Sequence, residues 1–232
     1  MALRLPRLAL GCMGFGSSAW RPWVLDEAAS LDVLARALEL GITFFDTANV
    51  YSTGRSELLL GRLLRTAQAR ERVLVATKLY FPVGDGETGL SRANVIASCE
   101  ASLRRLGVER IDLLQIHRFD ERTPVEETME ALNDLVRAGK VAHLGASNVR
   151  AWQLAKLNFT ARAHGWREFE TVQAHYNLLY REEERELLPF CVDQSIAVLP
   201  WSPLARGRLA RPWGEDTPRI ATDEFGKSLF AH

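Results

Sequence analysis

Short apolar runs alternate with longer amphipathic segments along this sequence, and this alternation limits the fold more than any other feature. Nearly continuous apolar runs are typical of strands buried on both faces, as in parallel sheets whose strands are joined by helices. No low-complexity segment or linker interrupts the pattern, so it predicts one (β/α) domain over residues 1–232. The predicted strands are 7–12, 42–46, 73–78, 111–117, 141–147, 171–176 and 196–202.

The segments between these runs carry start and stop signals of helices. In 123–140, Thr123 is expected to cap the helix, with Glu126 completing a capping box, and Gly139 suits the C-terminal end. The segment 91–107 repeats this design, from a serine to a glycine. These signals support helices as the connections between parallel strands.

Composition argues for a small-molecule ligand in a pocket. The 29 basic residues balance 29 acidic ones without a block of like charge, which predicts neither nucleic acid nor an anionic membrane as a partner. No apolar stretch approaches the roughly 18 residues of a membrane span, and Pro6 and Arg7 interrupt the N-terminal run. Cys12, Cys99 and Cys191 are too irregularly spaced for disulfides or a metal site. We therefore predict a cytoplasmic protein without a metal centre.

Two topologies fit this alternation, an open doubly wound sheet and a (β/α)₈ barrel. The doubly wound fold would place the glycine pattern G-x-G-x-x-G after the first strand. The glycines found there, Gly11, Gly14 and Gly16, have the wrong spacing. The sequence therefore favours the barrel.

Polar or aromatic residues lie at or near the ends of six predicted strands. A single one of them could be an ordinary turn residue, as Asp46 and Asn49 would be if they only closed a strand. Six together are better explained by a barrel, in which the C-terminal ends of the strands form one rim that carries the active site. The six positions are Asp46, Lys78, His117, Ser147–Asn148, Gln173 and Trp201.

Tyr51 follows the second predicted strand and is expected to reach over this rim. Lys78, one of only four lysines, is a compact cation suited to perturbing a nearby phenol. A positive charge about 4 Å away at an effective dielectric of about 20 contributes roughly 4 kcal/mol. This charge would lower the tyrosine pKa by up to about 3 before burial opposes it, and Asp46 would keep Lys78 protonated. The pattern predicts Tyr51 as a proton donor.

Several segments, in this order, resemble the aldo-keto reductase family over nearly the whole chain. The resemblance implies a (β/α)₈ barrel that reduces small carbonyl compounds with a nicotinamide cofactor, usually NADPH, and without metal. The segments are "GITFFDTANVYSTGRSELLLG" (41–61), "ATK" (76–78), "IDLLQIHRFD" (111–120), "GKVAHLGASN" (139–148), "VQAHYNLLYREEE" (172–184) and "LPWSPLARGRL" (199–209).

The resemblance also implies roles for individual residues. The four that match the family's catalytic residues are Asp46, Tyr51, Lys78 and His117, with Tyr51 as proton donor and His117 orienting the carbonyl. The expected cofactor contacts are Ser147, Asn148 and Gln173 to the nicotinamide carboxamide, Trp201 stacked on its ring, Ser202, Leu204, Gly207 and Arg208 around the pyrophosphate, and, less specifically, Met13 and Asp46.

The sequence departs from the family pattern after Trp201, where 31 residues contain no eighth strand signal. We therefore expect an incomplete barrel of about seven strands. The chain would be a truncated product or part of a longer protein, or a second copy would supply the missing edge in a homo-oligomer. The segment implied to bind the adenosine end is missing, so the preference between NADPH and NADH stays open.

Two alternative functions stay open. Lys78 could form a Schiff base as in an aldolase, although pairing with Asp46 would raise the pKa of the amine and argue against it. The chain could also be a non-catalytic subunit that binds the cofactor or a partner protein. The sequence does not identify the carbonyl substrate.

Overall fold

Seven parallel strands form one sheet in a computed structural model that describes residues 3–212, 214–215 and 217–230. Each strand pairs with the next one along the chain. The predicted parallel sheet is therefore confirmed. The strands are β1 (Leu10–Gly11), β2 (Phe44–Asp46), β3 (Leu74–Leu79), β4 (Ile111–Ile116), β5 (Val141–Ser147), β6 (Thr171–His175) and β7 (Ala197–Trp201).

A helix follows each of the first six strands, and two short helices follow the seventh. This order gives the repeated strand–helix connection that a parallel sheet requires. The helices are α1 (Glu27–Glu39), α2 (Arg55–Thr66), α3 (Arg92–Leu106), α4 (Val125–Arg137), α5 (Ala151–Ala163), α6 (Leu187–Asp193), α7 (Pro218–Thr222) and α8 (Glu224–Leu229).

The sheet curves into an incomplete barrel. Gln173 on β6 donates a 3.0 Å hydrogen bond to Asp46 on β2. In a flat sheet these strands would be roughly 19 Å apart, since neighbouring strands are about 4.8 Å apart. The predicted (β/α)₈-type architecture with about seven strands is confirmed. Within the described ranges no strand follows β7 and no ladder joins β7 to β1.

Side chains of the strands alternate between the barrel interior and the helical layer. Phe44, Ala76 and Leu113 form a small apolar cluster inside the barrel. Their neighbours Phe45 and Leu114 belong to the larger core between the sheet and the helices. This two-sided burial explains why the strands are apolar without interruption.

The helix ends agree only partly with the sequence prediction. The side chain of Ser91 caps α3, and Gly107 ends this helix at φ 65°. Thr123, however, does not cap α4, because its hydroxyl donates to Asp120 at 2.8 Å and Pro124 occupies the N-cap. The prediction for Thr123 is therefore wrong, since a buried carboxylate in the preceding loop binds its hydroxyl.

Close packing of α2 on α3 supports the strand that carries Lys78. Gly61 has no side chain, and a Cβ there would overlap the backbone carbonyl of Leu106. Glu57, which is fully buried, accepts hydrogen bonds from Arg105 and from Thr77, both at 2.6 Å. Thr77 precedes Lys78, so this contact fixes β3 next to the site.

No helix among the described residues has the length and apolar character needed to cross a membrane.

Candidate active site

Asp46 and Lys78 form a buried ion pair at the C-terminal end of the barrel. Lys78 is fully buried, and its Nζ lies 2.6 Å from Asp46 Oδ2 and 2.8 Å from the backbone oxygen of Thr47. Burial lowers the pKa of Lys78, but Asp46 and Tyr51 raise it, and the net direction is upward. Lys78 therefore carries a positive charge at neutral pH. The alternative interpretation was that Asp46 only closes the strand. The ion pair shows that its carboxylate also holds Lys78.

Tyr51 lies beside this ion pair, with Lys78 Nζ 5.2 Å from the centre of its ring. Burial raises the pKa of Tyr51, the positive charge of Lys78 lowers it and Asp46 raises it, so that the net direction is upward. The expectation that Lys78 would bring this pKa toward neutrality is wrong, because burial outweighs the charge. The phenol therefore keeps its proton at neutral pH.

The backbone that carries Tyr51 turns through left-handed conformations. Ser52, Thr53 and Gly54 have φ values of 49°, 53° and 88°. Such values cost energy for Ser and Thr, and residues held in this way often lie at functional sites. Gly16, in the loop after β1, packs against the turn, where a Cβ would overlap Ser52. Packing against this loop holds the tyrosine at the rim.

His117 follows β4 directly and completes the group at the rim. Its ring lies edge-on to the rings of Tyr51, at 5.9 Å, and Phe81, at 5.1 Å. Burial and the charge of Lys78 hold the pKa of His117 well below its ordinary value of 6.5. Its Nδ1 has no hydrogen-bond partner among the described residues. The neutral imidazole can donate one N–H to a carbonyl oxygen. We call Asp46, Tyr51, Lys78 and His117 the candidate tetrad.

This low pKa makes stability depend on pH. Below pH 6.5 the unfolded chain binds a proton at His117 that the folded chain does not bind, so the free energy of unfolding should fall as pH decreases. Urea denaturation of the parent and of His117→Asn between pH 5 and 8 measures the effect. The variant should show a shallower decrease, and identical slopes would contradict the neutral, buried imidazole.

Three of the predicted cofactor contacts are joined at the same rim. Asn148 accepts a 3.0 Å hydrogen bond from the Trp201 indole and donates one of 2.8 Å to Ser147. Its amide also donates to the backbone oxygen of His117 at 3.4 Å, which connects this group to the candidate tetrad. One face of the Trp201 indole is covered by the His175 ring at 4.1 Å.

His175 supports Trp201 from within the barrel. Its ring lies between Trp201 and Tyr180, at 4.1 and 4.2 Å. Burial and the charge of Arg206 lower the pKa of His175 to about 4. The imidazole is therefore neutral at neutral pH and serves as a stacking surface.

The loop after β7 has an irregular backbone. Ser202, Arg206 and Gly207 have φ values of 51°, 56° and 100°. The Arg208 guanidinium lies 4.7 Å from the centre of the Phe230 ring. Leu204, another predicted cofactor contact, is exposed. Within the described ranges, neither Leu204 nor Met13 forms a hydrogen bond or ring contact with the candidate tetrad.

Sequence reasoning missed the contribution of Gln115 to this site. Gln115 donates a 2.9 Å hydrogen bond to Asp46 Oδ1, the same oxygen that Gln173 contacts. Gln173 is thus directed toward Asp46. The signal for Gln115 was its position two residues before His117, on the same strand face. The ring of Trp20 lies 6.4 Å from that of Tyr51.

Comparisons with known proteins agree with this arrangement. The model of the aldo/keto reductase family matches residues 7–224. A versiconal hemiacetal acetate reductase of Aspergillus parasiticus is 43% identical, over 98% of this chain and 72% of its own length. A putative aryl-alcohol dehydrogenase of Saccharomyces cerevisiae is also 43% identical, with the same coverage. An aldo-keto reductase of Fusarium vanettenii is 45% identical over 90% of this chain and 63% of its own length. The chain therefore belongs to the aldo-keto reductase family of NAD(P)H-dependent oxidoreductases.

Proposed function

We propose that this chain reduces an aldehyde or ketone to an alcohol with NADPH, and that Tyr51 donates the proton. One observation carries the proposal: the buried Lys78–Asp46 pair lies beside the Tyr51 phenol, which adjoins the neutral His117 ring. The bound cofactor would supply a hydride to the carbonyl carbon.

The protein groups then act on the carbonyl oxygen. The N–H of His117 holds this oxygen and stabilises the negative charge that develops on it. Tyr51, still protonated because of its raised pKa, transfers its proton to the oxygen. The ammonium of Lys78 stabilises the phenolate that remains, and Asp46 keeps the ammonium in place. The hydroxyl, the cation and the carboxylate therefore form one proton-transfer unit.

The donor groups at the rim fit a nicotinamide. The indole face of Trp201 opposite His175 would stack on the ring, while Ser147, Asn148 and Gln173 offer amide and hydroxyl groups for its carboxamide. Four cations lie around Asp223 in the segment after β7, namely Arg206, Arg208, Arg219 and Lys227. Arg206 and Arg219 pair with Asp223, and Lys227 pairs with Glu224. The group as a whole keeps a net positive charge, which favours NADPH, with its additional phosphate, over NADH.

The surroundings of Tyr51 and His117 favour an apolar or aromatic carbonyl substrate. Trp20 lies 6.4 Å from Tyr51, and Phe81 packs edge-on against His117. One relative is named after an aryl alcohol, which agrees with an aromatic substrate. A Schiff-base aldolase is not favoured, because an amine nucleophile needs a depressed pKa and that of Lys78 is raised.

Titration of the protein with NADPH and NADH, followed by tryptophan fluorescence, tests the proposal. We expect NADPH to bind at least about tenfold more tightly, a difference of about 1.4 kcal/mol. NADPH absorbance should also fall when 4-nitrobenzaldehyde is added. Trp201→Phe should lose most of the fluorescence change, whereas Trp166→Phe, stacked on His164 away from the site, should keep it. Binding without turnover of any aldehyde would instead support a non-catalytic subunit.

A further inference from the structure

The Asp46 carboxylate is held by three side chains from three different strands. Lys78 of β3 donates to Oδ2 at 2.6 Å, while Gln115 of β4 and Gln173 of β6 donate to Oδ1 at 2.9 and 3.0 Å. The strand β3 lies between β2 and β4, so the Gln115 side chain crosses the barrel interior to reach Asp46. It is fully buried.

The barrel leaves room for this crossing at Gly145 on β5. A Cβ at Gly145 would lie 3.1 Å from Gln115 Cγ and would overlap the Thr171 hydroxyl. Any larger residue would displace Gln115 from its present path. The glycine therefore allows the long amide side chain to lie inside the barrel and point at the carboxylate.

Stability alone does not explain an amide at this position. Gln115 Oε1 is buried and has no hydrogen-bond partner among the described residues. A buried polar atom without a partner destabilises the fold, whereas an apolar side chain of similar size does not. The layer beneath is apolar and includes Phe44, Ala76 and Leu113, so a methionine or leucine would suit the surroundings. What Gln115 adds is a hydrogen bond to Asp46.

The two glutamines differ in what they can do when a cofactor binds. Under the proposed function, Gln173 would serve both Asp46 and the nicotinamide carboxamide. Gln115 would be the amide that serves Asp46 Oδ1 alone. We propose that Gln115 is a positioning residue: it orients the Asp46 carboxylate and thereby keeps the Lys78 ammonium beside Tyr51. This inference rests on the proposed function.

Two variants of Gln115, compared with one control, test the proposal with NADPH and 4-nitrobenzaldehyde. Gln115→Met lacks the amide, so it should lower kcat by ten- to a hundredfold and change KM less than threefold. This decrease in kcat corresponds to on the order of 1–3 kcal/mol in the activation barrier, as expected for one hydrogen bond to a charged group. Gln115→Glu can donate only when protonated, so its kcat should recover toward the parent value as pH falls. Gln153→Met, which removes a buried amide from α5, should keep the parent kcat and pH profile. A Gln115→Met variant within twofold of the parent, or a Gln115→Glu variant with the parent pH profile, would overturn the proposal.

Unfolding of Gln115→Glu provides a measurement independent of turnover. The neighbouring Asp46 carboxylate should raise the pKa of Glu at position 115 in the folded state above its unfolded value of about 4.3. The variant should therefore lose stability relative to the parent as pH rises from 5 to 8. If the parent does not oxidise NADPH, the proposed function fails. The unfolding measurement still tests the contact between Gln115 and Asp46, because it does not require turnover. A loss that grows with pH and becomes smaller when Asp46→Asn is combined with it supports the contact, and a loss that is constant with pH or unaffected by Asp46→Asn overturns it.

Discussion

Tyr51→Phe is expected to lower kcat by about 10²–10⁴-fold, the usual contribution of a positioned proton donor. The ring of phenylalanine fills the same space, and the direct hydrogen bond from Lys78 to Asp46 remains available. The dissociation constant for NADPH should therefore stay within about twofold of the parent value, since the hydroxyl acts in the transition state. Steady-state kinetics with 4-nitrobenzaldehyde and fluorescence titration measure the two effects.

Tyr176→Phe is the matched control for this experiment. It also removes a phenol hydroxyl, one that bonds to Glu184 on the surface at 2.7 Å. Its kcat should equal that of the parent. A Tyr51→Phe variant with parental kcat would rule out Tyr51 as the proton donor, whereas equal losses of NADPH affinity and kcat would assign it a binding role.

Lys78→Met is expected to affect both stability and catalysis. It leaves the Asp46 carboxylate next to a fully buried apolar side chain, with two amides as its only other side-chain donors within the described ranges. Breaking a buried ion pair on one side costs about 3–5 kcal/mol. Urea denaturation at pH 7 should show this loss. Turnover should fall by at least as much as in Tyr51→Phe, because the phenolate would form beside a negative charge.

A double variant separates these two effects. Lys78→Met combined with Asp46→Leu removes both charges, and a buried pair replaced by apolar residues is often neutral or stabilising. The double variant should therefore regain most of the stability lost in Lys78→Met and none of the turnover. If it remains as unstable as the single variant, packing around the lysine stem, and not the charge, determines the loss.

The architecture could be predicted because it depends on local sequence signals. The predicted run 141–147 coincides with β5, and the other runs differ from their strands by a few residues at the ends. The largest difference is β1, which covers only two residues of the run 7–12. Their positions at the ends of predicted strands also placed Asp46 and Lys78 on one rim, where they meet.

Features that depend on packing across the barrel were not predictable in this way. The pKa of Tyr51 is raised because burial outweighs the ammonium, and the sequence gives no depth of burial. The contact of Gln115 with Asp46 joins strands that are not neighbours, and it requires the gap at Gly145. The single-domain organisation, the cytoplasmic location, the individual residue roles and the preference for NADPH stay predictions.

The hydrogen bond between Asp46 and Gln173 has a consequence for how the chain folds. It joins residues 127 positions apart in the sequence. Contacts of such long range form slowly, because a large loop must close before they contribute. The interior polar cluster should therefore assemble last during refolding, after the local strand–helix units. Recovery of the NADPH-dependent fluorescence change should lag behind the recovery of helical circular dichroism.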